Sequence, residues 1–462
     1  MIAIGIDIGT TTIGCVLADC ASGTILKTLT RANDSGIVSA RPGEAIQDPE
    51  RIMTRVRELL AECGKVRIGA IGISCQMHGM LYVDASGKHV SPLYTWQDKS
   101  GEEGFDSGRT YVAYLEELTG WQLSSGYGLV THFCHLHKKK APRNAAAICT
   151  IGDYAAMRLT GATSPVIDPT NAAGFGMFVP DRMEFDRVAM ERAGIDASIV
   201  PEVAGRAAGK TALAGMTPHG QPVFCAIGDN QASFLGAVPS LSGTLQVNIG
   251  TGAQVSVYSE QFEAGPGLET RPFPGGGYLL VGASLAGGKS YALLEQFFRE
   301  TCRVFSGYQG DSLYSEMNRL AEEALKEAPE APRVETQFYG TRQNPGAAGT
   351  IAGLLPWNFT PRHLILGVLQ GITDELLGFV DDFPHELGSR LRIACGSGNG
   401  LRKNSALQKL LQQKLKLPLI LPEVEEEAAY GAAIYAAVGA GFFPDLETAI
   451  RIMSRTRYGN EG

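Results

Sequence analysis

The feature that most limits how this chain can fold is a tripeptide that occurs twice in the same setting. Ile2, Ile4, Ile6 and Ile8 alternate with Ala3, Gly5 and Asp7, the period of a strand. Gly9-Thr10-Thr11-Thr12 interrupts the alternation, and a second apolar run, Ile13 to Asp19, a Ser22-Gly23 turn and the strand-like Thr24 to Thr30 follow. The pattern predicts a three-stranded antiparallel meander. Half a chain later Leu245 to Ile249 leads into Gly250-Thr251-Gly252 and the β-rich Gln254 to Tyr258. Ile8-Gly9-Thr10 and Ile249-Gly250-Thr251 are the same letters, and their shared strand-turn-strand context predicts a duplicated domain. At 462 residues the chain has room for two large domains.

The stretches between these hairpins read as α/β. Asp48 and Pro49 open a helix bearing Ile52, Met53, Val56, Leu59 and Leu60, and the short strand Ala70 to Ser74 follows. In the second half Thr360 and Pro361 open a helix bearing Leu364, Val368, Ile372, Leu376 and Phe379, with a strand at Leu391 to Cys395 and a helix from about Lys403 to Leu415. Val238 to Thr244 reads as the hinge, so the expected domains are 1–238 and 245–462; the Gly/Pro-rich Gly265 to Gly277 reads as an excursion inside the second.

Composition narrows the function. A net charge of −8, from 40 basic and 48 acidic side chains, gives no footprint for nucleic acid or an anionic membrane. The longest uncharged run, Ala428 to Pro444, is too short to span a bilayer and reads as a core helix. Nine scattered cysteines without a Cys-x-x-Cys pair fit reduced cytoplasm better than a disulfide framework or a zinc ribbon, and the N-terminus, with Asp7 in its apolar stretch, does not read as a signal peptide.

Several polar groups fall at strand ends. Asp7 followed by Gly9, Thr10, Thr11 and Thr12 sets a carboxylate beside a turn of small and hydroxylated residues, where phosphoryl oxygens can approach backbone N–H groups and a carboxylate can hold magnesium or its waters. Gly250-Thr251-Gly252 offers the same turn from the other half. Gly396-Ser397-Gly398-Asn399-Gly400, between a strand and a helix, and Gly287-Gly288-Lys289, opening another helix, suit a nucleotide or a plain helix start. Asp229, after the apolar run Val223 to Ile227, stands where a general base or a helix cap would stand. Gln76-Met77-His78-Gly79 and Thr95-Trp96-Gln97-Asp98 offer groups that bind polyhydroxylated ligands or form a buried polar cluster. His132, Cys134, His135 and His137, before Lys138-Lys139-Lys140, read as a solvated helix end rather than a metal site, and Glu423, Glu425, Glu426 and Glu427 as acids favoured at a helix N-terminus.

In order, Asp7-Ile8-Gly9-Thr10-Thr11, Gln76-Met77-His78-Gly79, Gly228-Asp229-Asn230, Gly250-Thr251-Gly252, Gly396-Ser397-Gly398 and Glu427-Ala428-Ala429-Tyr430-Gly431-Ala432 resemble the FGGY carbohydrate kinases over essentially the whole chain. The resemblance implies two actin-like ATPase domains of the ribonuclease-H type with a cleft between them. It also implies ATP with Mg²⁺ as cofactors and transfer of the γ-phosphoryl group to a sugar or polyol hydroxyl. Asp229 would be the base and Asp7 the magnesium residue. Thr10, Thr11, Thr12, Gly250 and Thr251 would meet phosphates, Gly288, Gly396, Ser397 and Asn399 would line the nucleotide, and Gln76, His78, Trp96, Asp98 and Asp229 would face the sugar. Asp168 to Gly176 and Ala283 to Gly288, with the motifs above, look most like the sedoheptulokinases within that family. His132 and His135, standing where many members have Lys and Trp, depart from the family pattern and leave xylulose, ribulose and other ketoses open. A non-kinase actin-like ATPase switch is the alternative from another class, and a homodimer is left open.

Overall fold

The computed structural model describes residues 1–458, apart from 65, 107, 205–210, 328–329, 342–343 and 345. The end of the second expected domain, 459–462, lies outside the described residues. Ile4, Ile6 and Ile8 are fully buried in the strand Ile2–Ile8, which pairs antiparallel with Thr12–Asp19; that strand pairs antiparallel with Thr24–Ala32. On its other side Ile2–Ile8 runs parallel to Ile68–Cys75, followed by Pro222–Phe224, parallel, and Leu213–Met216, antiparallel. The crossover helix Pro49–Glu62 starts as expected: Asp48 Oδ1 accepts from Glu50 N (2.9 Å) and Arg51 N (3.2 Å), with Pro49 in the first turn. The run Val223 to Ile227 is two strands, Pro222–Phe224 and Ile227–Gly228. Between them Cys225 N donates to Ala212 O, and Ala226 O accepts from the Asn171 amide at 2.8 Å.

The second sheet repeats the first pairing by pairing. Thr244–Ile249 is antiparallel to Ala253–Ser259, and that strand to Tyr278–Ser284. On the other side it is parallel to Ile393–Ser397, then come Leu419–Pro422, parallel, and Thr456–Tyr458, antiparallel. The register repeats too. Asp7 stands opposite Ser74 on the neighbouring parallel strand, and Asn248, at the same place in the second hairpin, stands opposite Ser397. Leu268–Pro272, inside the Gly/Pro-rich stretch, adds an outer strand with no counterpart in the first sheet.

Two small-residue helices join the halves. Asp229–Ala237 follows the first sheet, and Glu427–Gly439, the expected core helix of the Ala-rich run, packs against both it and the strand Ile2–Ile8. Their backbones nearly touch: a Cβ on Gly431 would lie 1.8 Å from Ala232 O, and one on Gly5 1.7 Å from Ala429 O. Only glycine allows that approach. The shared core around them includes Phe234, Tyr430, Ile434 and Tyr435. A separate core around Tyr82, Leu115, Phe133 and Phe175 belongs to the elements between Met80 and Val203, which build out one wall above the first sheet. The helix Pro361–Asp381 starts at Thr360 and Pro361 as expected; it is long and apolar enough to cross a membrane, but buries Leu366, Leu369, Ile372 and Leu376 in the core of the second half.

Candidate active site

Three carboxylates from separate elements gather at the C-terminal ends of the first sheet's strands. Asp7 is partly buried at the end of Ile2–Ile8, where Ser74 Oγ donates to its Oδ1 at 2.7 Å. Burial pushes its carboxyl up to about 7; repulsion from Asp229 and Glu426 adds to this, and the Ser74 hydroxyl opposes it. Asp229 is the first residue of the helix Asp229–Ala237, with Gly228 as its cap, so it is not the cap itself. Burial raises it to about 6 against the pull of the Asn230 N–H and the Arg271 charge. Glu426 reaches over from the second half: it accepts from Thr30 Oγ1 at 2.5 Å, and its carboxylate covers Gly14, the residue opposite Asp7. No cluster of three or more His, Cys, Asp or Glu ready to hold a metal occurs among the described residues. Poorly compensated negative charge around a carboxylate with a single hydroxyl donor nevertheless suits a cation that keeps waters and phosphate oxygens among its ligands.

The first hairpin turn is cross-linked to one wall. Gly9 N donates to Thr12 O, and Asn33 Nδ2 to Gly9 O at 2.8 Å; Thr11 and Thr12 are exposed. Thr10 Oγ1 donates to Gln76 Oε1 and accepts from Trp96 Nε1, both at 3.0 Å. Gln76 Nε2 donates to Gln47 Oε1 at 2.9 Å, and Gln47 Nε2 to Thr10 O at 2.8 Å. Of the expected sugar residues, Trp96 is 49% exposed and His78 half-buried, its ring stacked on Tyr127 with centroids 4.7 Å apart. Gln76 and Asp98 stand behind the wall. Gln76 is 2% exposed with its amide held by Thr10 and Gln47. Asp98 is 1% exposed and accepts from Ala45 N and Ser100 N, so its carboxylate pins a loop. In this structure both are buried and engaged in the frame that supports the wall, while Trp96 and His78 present more open surface.

The opposite wall comes from the outer strand Leu268–Pro272, inside the Gly/Pro-rich stretch that reads from the sequence as an excursion. Arg271 Nη1 donates to Asn230 Oδ1 at 3.0 Å, and its guanidinium pairs with Glu269 at 2.5 Å. Pro272 O accepts from Gln231 Nε2 at 3.0 Å, so this strand of the second half is fastened to the start of the helix carrying Asp229. The Glu269-Thr270-Arg271 alternation, which puts both charges on one face of a strand, was the available signal. Nothing in the sequence distinguished Tyr127.

On the second half the turn at Gly250 is held differently. Gly250 N donates to Gly252 O, while Gly288 N and Lys289 N donate to Gly250 O (2.9 Å) and Thr251 O (3.0 Å). Gly288 is therefore a support for the turn, its N–H engaged; a Cβ there would lie 2.2 Å from Gly250 O. Thr251 is exposed. Gly396 and Ser397 are buried in their strand, and it is Asn399 that stands exposed and Gly398 half-buried, so the accessible part of that motif begins two residues later than expected. Glu427 is also buried, paired with Arg402 at 2.5 Å and accepting from Ser233 Oγ, a tie between the halves rather than a simple helix-end charge.

The histidine run needs a correction. His132 and His135 are buried, and both Nδ1 atoms meet Tyr82 Oη, at 2.8 and 3.2 Å. Burial pushes them down to about 4 and about 3. A single hydroxyl between two neutral imidazoles donates to one ring and accepts from the other, a satisfied core cluster. Only His137 of the three is at the solvated end.

Comparison with known proteins places most of the chain in one family. Residues 2–236 match the N-terminal domain of the FGGY family of carbohydrate kinases, and residues 245–440 its C-terminal domain. The chain belongs to the FGGY family of carbohydrate kinases, and it is a phosphotransferase acting on a hydroxyl group. Sedoheptulokinase of Mus musculus is 26% identical over 94% of this chain and 96% of its own length. The xylulose kinase of Rhodospirillum rubrum superposes with a TM-score of 0.81 at 22% identity, covering 99% of this chain and 93% of that one. Plasmodium falciparum glycerol kinase, solved with ADP, superposes with a TM-score of 0.80 at 19% identity, covering 99% and 93%. The two-domain actin-like ATPase fold expected from the sequence is thus the fold of the chain.

Proposed function

We propose that the protein transfers the γ-phosphoryl group of Mg²⁺-ATP to a ketose hydroxyl, with sedoheptulose as acceptor and sedoheptulose 7-phosphate as product. The observation that carries this reading is Asp229, set at a helix start close enough to Asp7 for its charge to raise that carboxyl, on a strand end paired with the strand that leads into His78. In this scheme the acceptor hydroxyl lies against Asp229, which takes its proton as the bond to phosphorus forms; a carboxylate raised to about 6 is ionised at neutral pH and basic enough to do so. Asp7, with Glu426 beside it, would hold the magnesium, which when bound neutralises phosphate charge. Thr10 and Thr11 would face the phosphates from the first half, Gly250 and Thr251 from the second, and Gly398 and Asn399 the nucleotide. Trp96 offers an aromatic face to sugar C–H groups, and His78 a planar polar one to hydroxyls.

Xylulose is the second acceptor, supported by the shared fold of the xylulose kinases. An ATPase switch needs no base beside such a wall. Free cysteines throughout support a reducing, cytoplasmic setting. The test is ADP release with Mg²⁺-ATP against sedoheptulose, xylulose, ribulose, fructose, glycerol and no sugar. Selective stimulation by sedoheptulose is expected; selective stimulation by another sugar replaces the substrate, and sugar-independent turnover favours the switch.

A further inference from the structure

The segment from Asp168 to Gly174 is almost wholly buried, yet its polar atoms go to the frame of the active site. Thr170 Oγ1 donates to Asp168 Oδ1 at 2.7 Å and accepts from Gly228 N at 3.0 Å. Gly228 immediately precedes Asp229 and caps its helix, and as a glycine it brings no side chain to fix its own conformation. Asn171 Nδ2 donates to Ala226 O at 2.8 Å and lies 3.6 Å from Cys75 Sγ, at the end of the strand that leads into Gln76-Met77-His78. Gly174 O accepts from His78 Nδ1 at 3.0 Å. His78 itself has φ 73°, a left-handed conformation that a non-glycine residue keeps only where its surroundings impose it. The segment is anchored in turn: Asp168 Oδ1 also accepts from Thr170 N at 2.9 Å, and its Oδ2 from Tyr435 Oη, on the helix Glu427–Gly439, at 3.2 Å.

One short stretch therefore holds both sides of the catalytic pocket, the Gly228 N–H before Asp229 and the imidazole ring of His78. We propose that Thr170 is a positioning residue for Asp229, and that the segment Asp168 to Gly174 sets the spacing between Asp229 and His78. This deepens the proposed function and rests on Asp229 being the base. The physical reason is that Gly228 N–H is buried and Thr170 is its partner. Without the hydroxyl, that N–H and the Asp168 carboxylate both lose a hydrogen bond and the strand end carrying Asp229 is free to shift. A displacement of about 1 Å in a catalytic group costs roughly a hundredfold in rate.

The test compares Thr170→Val, which keeps the shape but removes the hydroxyl, with Thr170→Ser, which restores it, alongside Asp229→Asn and the double variant Thr170→Val/Asp229→Asn. All are assayed as full-length protein with Mg²⁺-ATP and the ketose that turns over fastest in the panel above. Thr170→Val is expected to lower kcat by about 10- to 100-fold with both KM values within about threefold. Thr170→Ser should stay within about threefold of the parent, and the double variant should be no slower than Asp229→Asn alone, since a misplaced base and an absent one fail alike. If Thr170→Val does not fold, Thr170→Ala is read in its place. A parental kcat in the variant lacking the hydroxyl, equal losses in the Val and Ser variants, or losses that multiply in the double variant would overturn the proposal. A fully active Asp229→Asn would instead remove the base, a result distinct from any behaviour of Thr170.

Discussion

Asp7-Ile8-Gly9-Thr10 and Asn248-Ile249-Gly250-Thr251 occupy the same places in two copies of one sheet, down to the serine opposite each on the parallel neighbour. They differ first in charge. The first copy ends in a carboxylate that accepts from Ser74, the second in an amide, and Ser397 Oγ has no hydrogen-bond partner. They differ next in what holds the turn: the first through Thr10, tied to Gln76 and Trp96, the second by backbone donors from Gly288 and Lys289. The two halves thus carry turns of like geometry with different side chains. On the proposed mechanism the charged turn keeps the cation and senses the sugar wall, while the neutral one accepts phosphate without repelling it.

The largest effect should come from erasing the difference in charge. Asp7→Asn makes the two turns alike, and kcat is expected to fall by about two to three orders of magnitude, measured at saturating ATP and sugar over a magnesium titration. Asn248→Asp makes them alike in the opposite sense; a second carboxylate beside the phosphates should raise the ATP KM about tenfold and leave the sugar KM unchanged. Equal KM values in parent and Asn248→Asp would mean that the second turn does not meet phosphate. A smaller effect should separate the anchors: Thr10→Val, which cuts the link to Gln76 and Trp96, is expected to raise the sugar KM about threefold to tenfold, and Thr251→Val to raise the ATP KM by a similar factor. Sugar and ATP constants that move together in both variants would dissolve the distinction.

Much of this was legible because it follows from short-range rules. The alternating isoleucines, the Asp48-Pro49 start and the Thr360-Pro361 start each carry their own physical cause, and the repeated tripeptide gave the duplication. Placement was legible where a motif sits at a strand end, as for Asp7, His78 and Asp229 at or just beyond the ends of Ile2–Ile8, Ile68–Cys75 and Ile227–Gly228. It was not where long-range packing decides which face a side chain presents. Gln76 and Asp98 lie in promising motifs but are turned inward by Gln47 and by backbone donors at Ala45 and Ser100. Arg271, Glu269 and Glu426 arrive from the second half, Asn33 from beyond the third strand, and Tyr127 from the inserted wall; a local period, as at Glu269 and Arg271, marks the face a residue shares but not the partner it meets. His132 and His135 look solvated beside three lysines, yet Tyr82, far away in the chain, supplies the partner that allows both to be buried.

The central claim is that Asp229 is the base of a sugar-dependent phosphoryl transfer, and the kinetics of Asp229→Asn test it most directly. In the parent, kcat/KM for the sugar, measured at saturating Mg²⁺-ATP so that the bound cation keeps Asp7 ionised, should fall about tenfold per pH unit below about 6, because protonation of Asp229 removes the acceptor for the hydroxyl proton. The variant should lose at least two orders of magnitude in kcat at pH 7.5, keep its ATP and sugar binding within a few fold, and show no such acid limb. Parental kcat in Asp229→Asn, with the acid limb intact, would contradict the account.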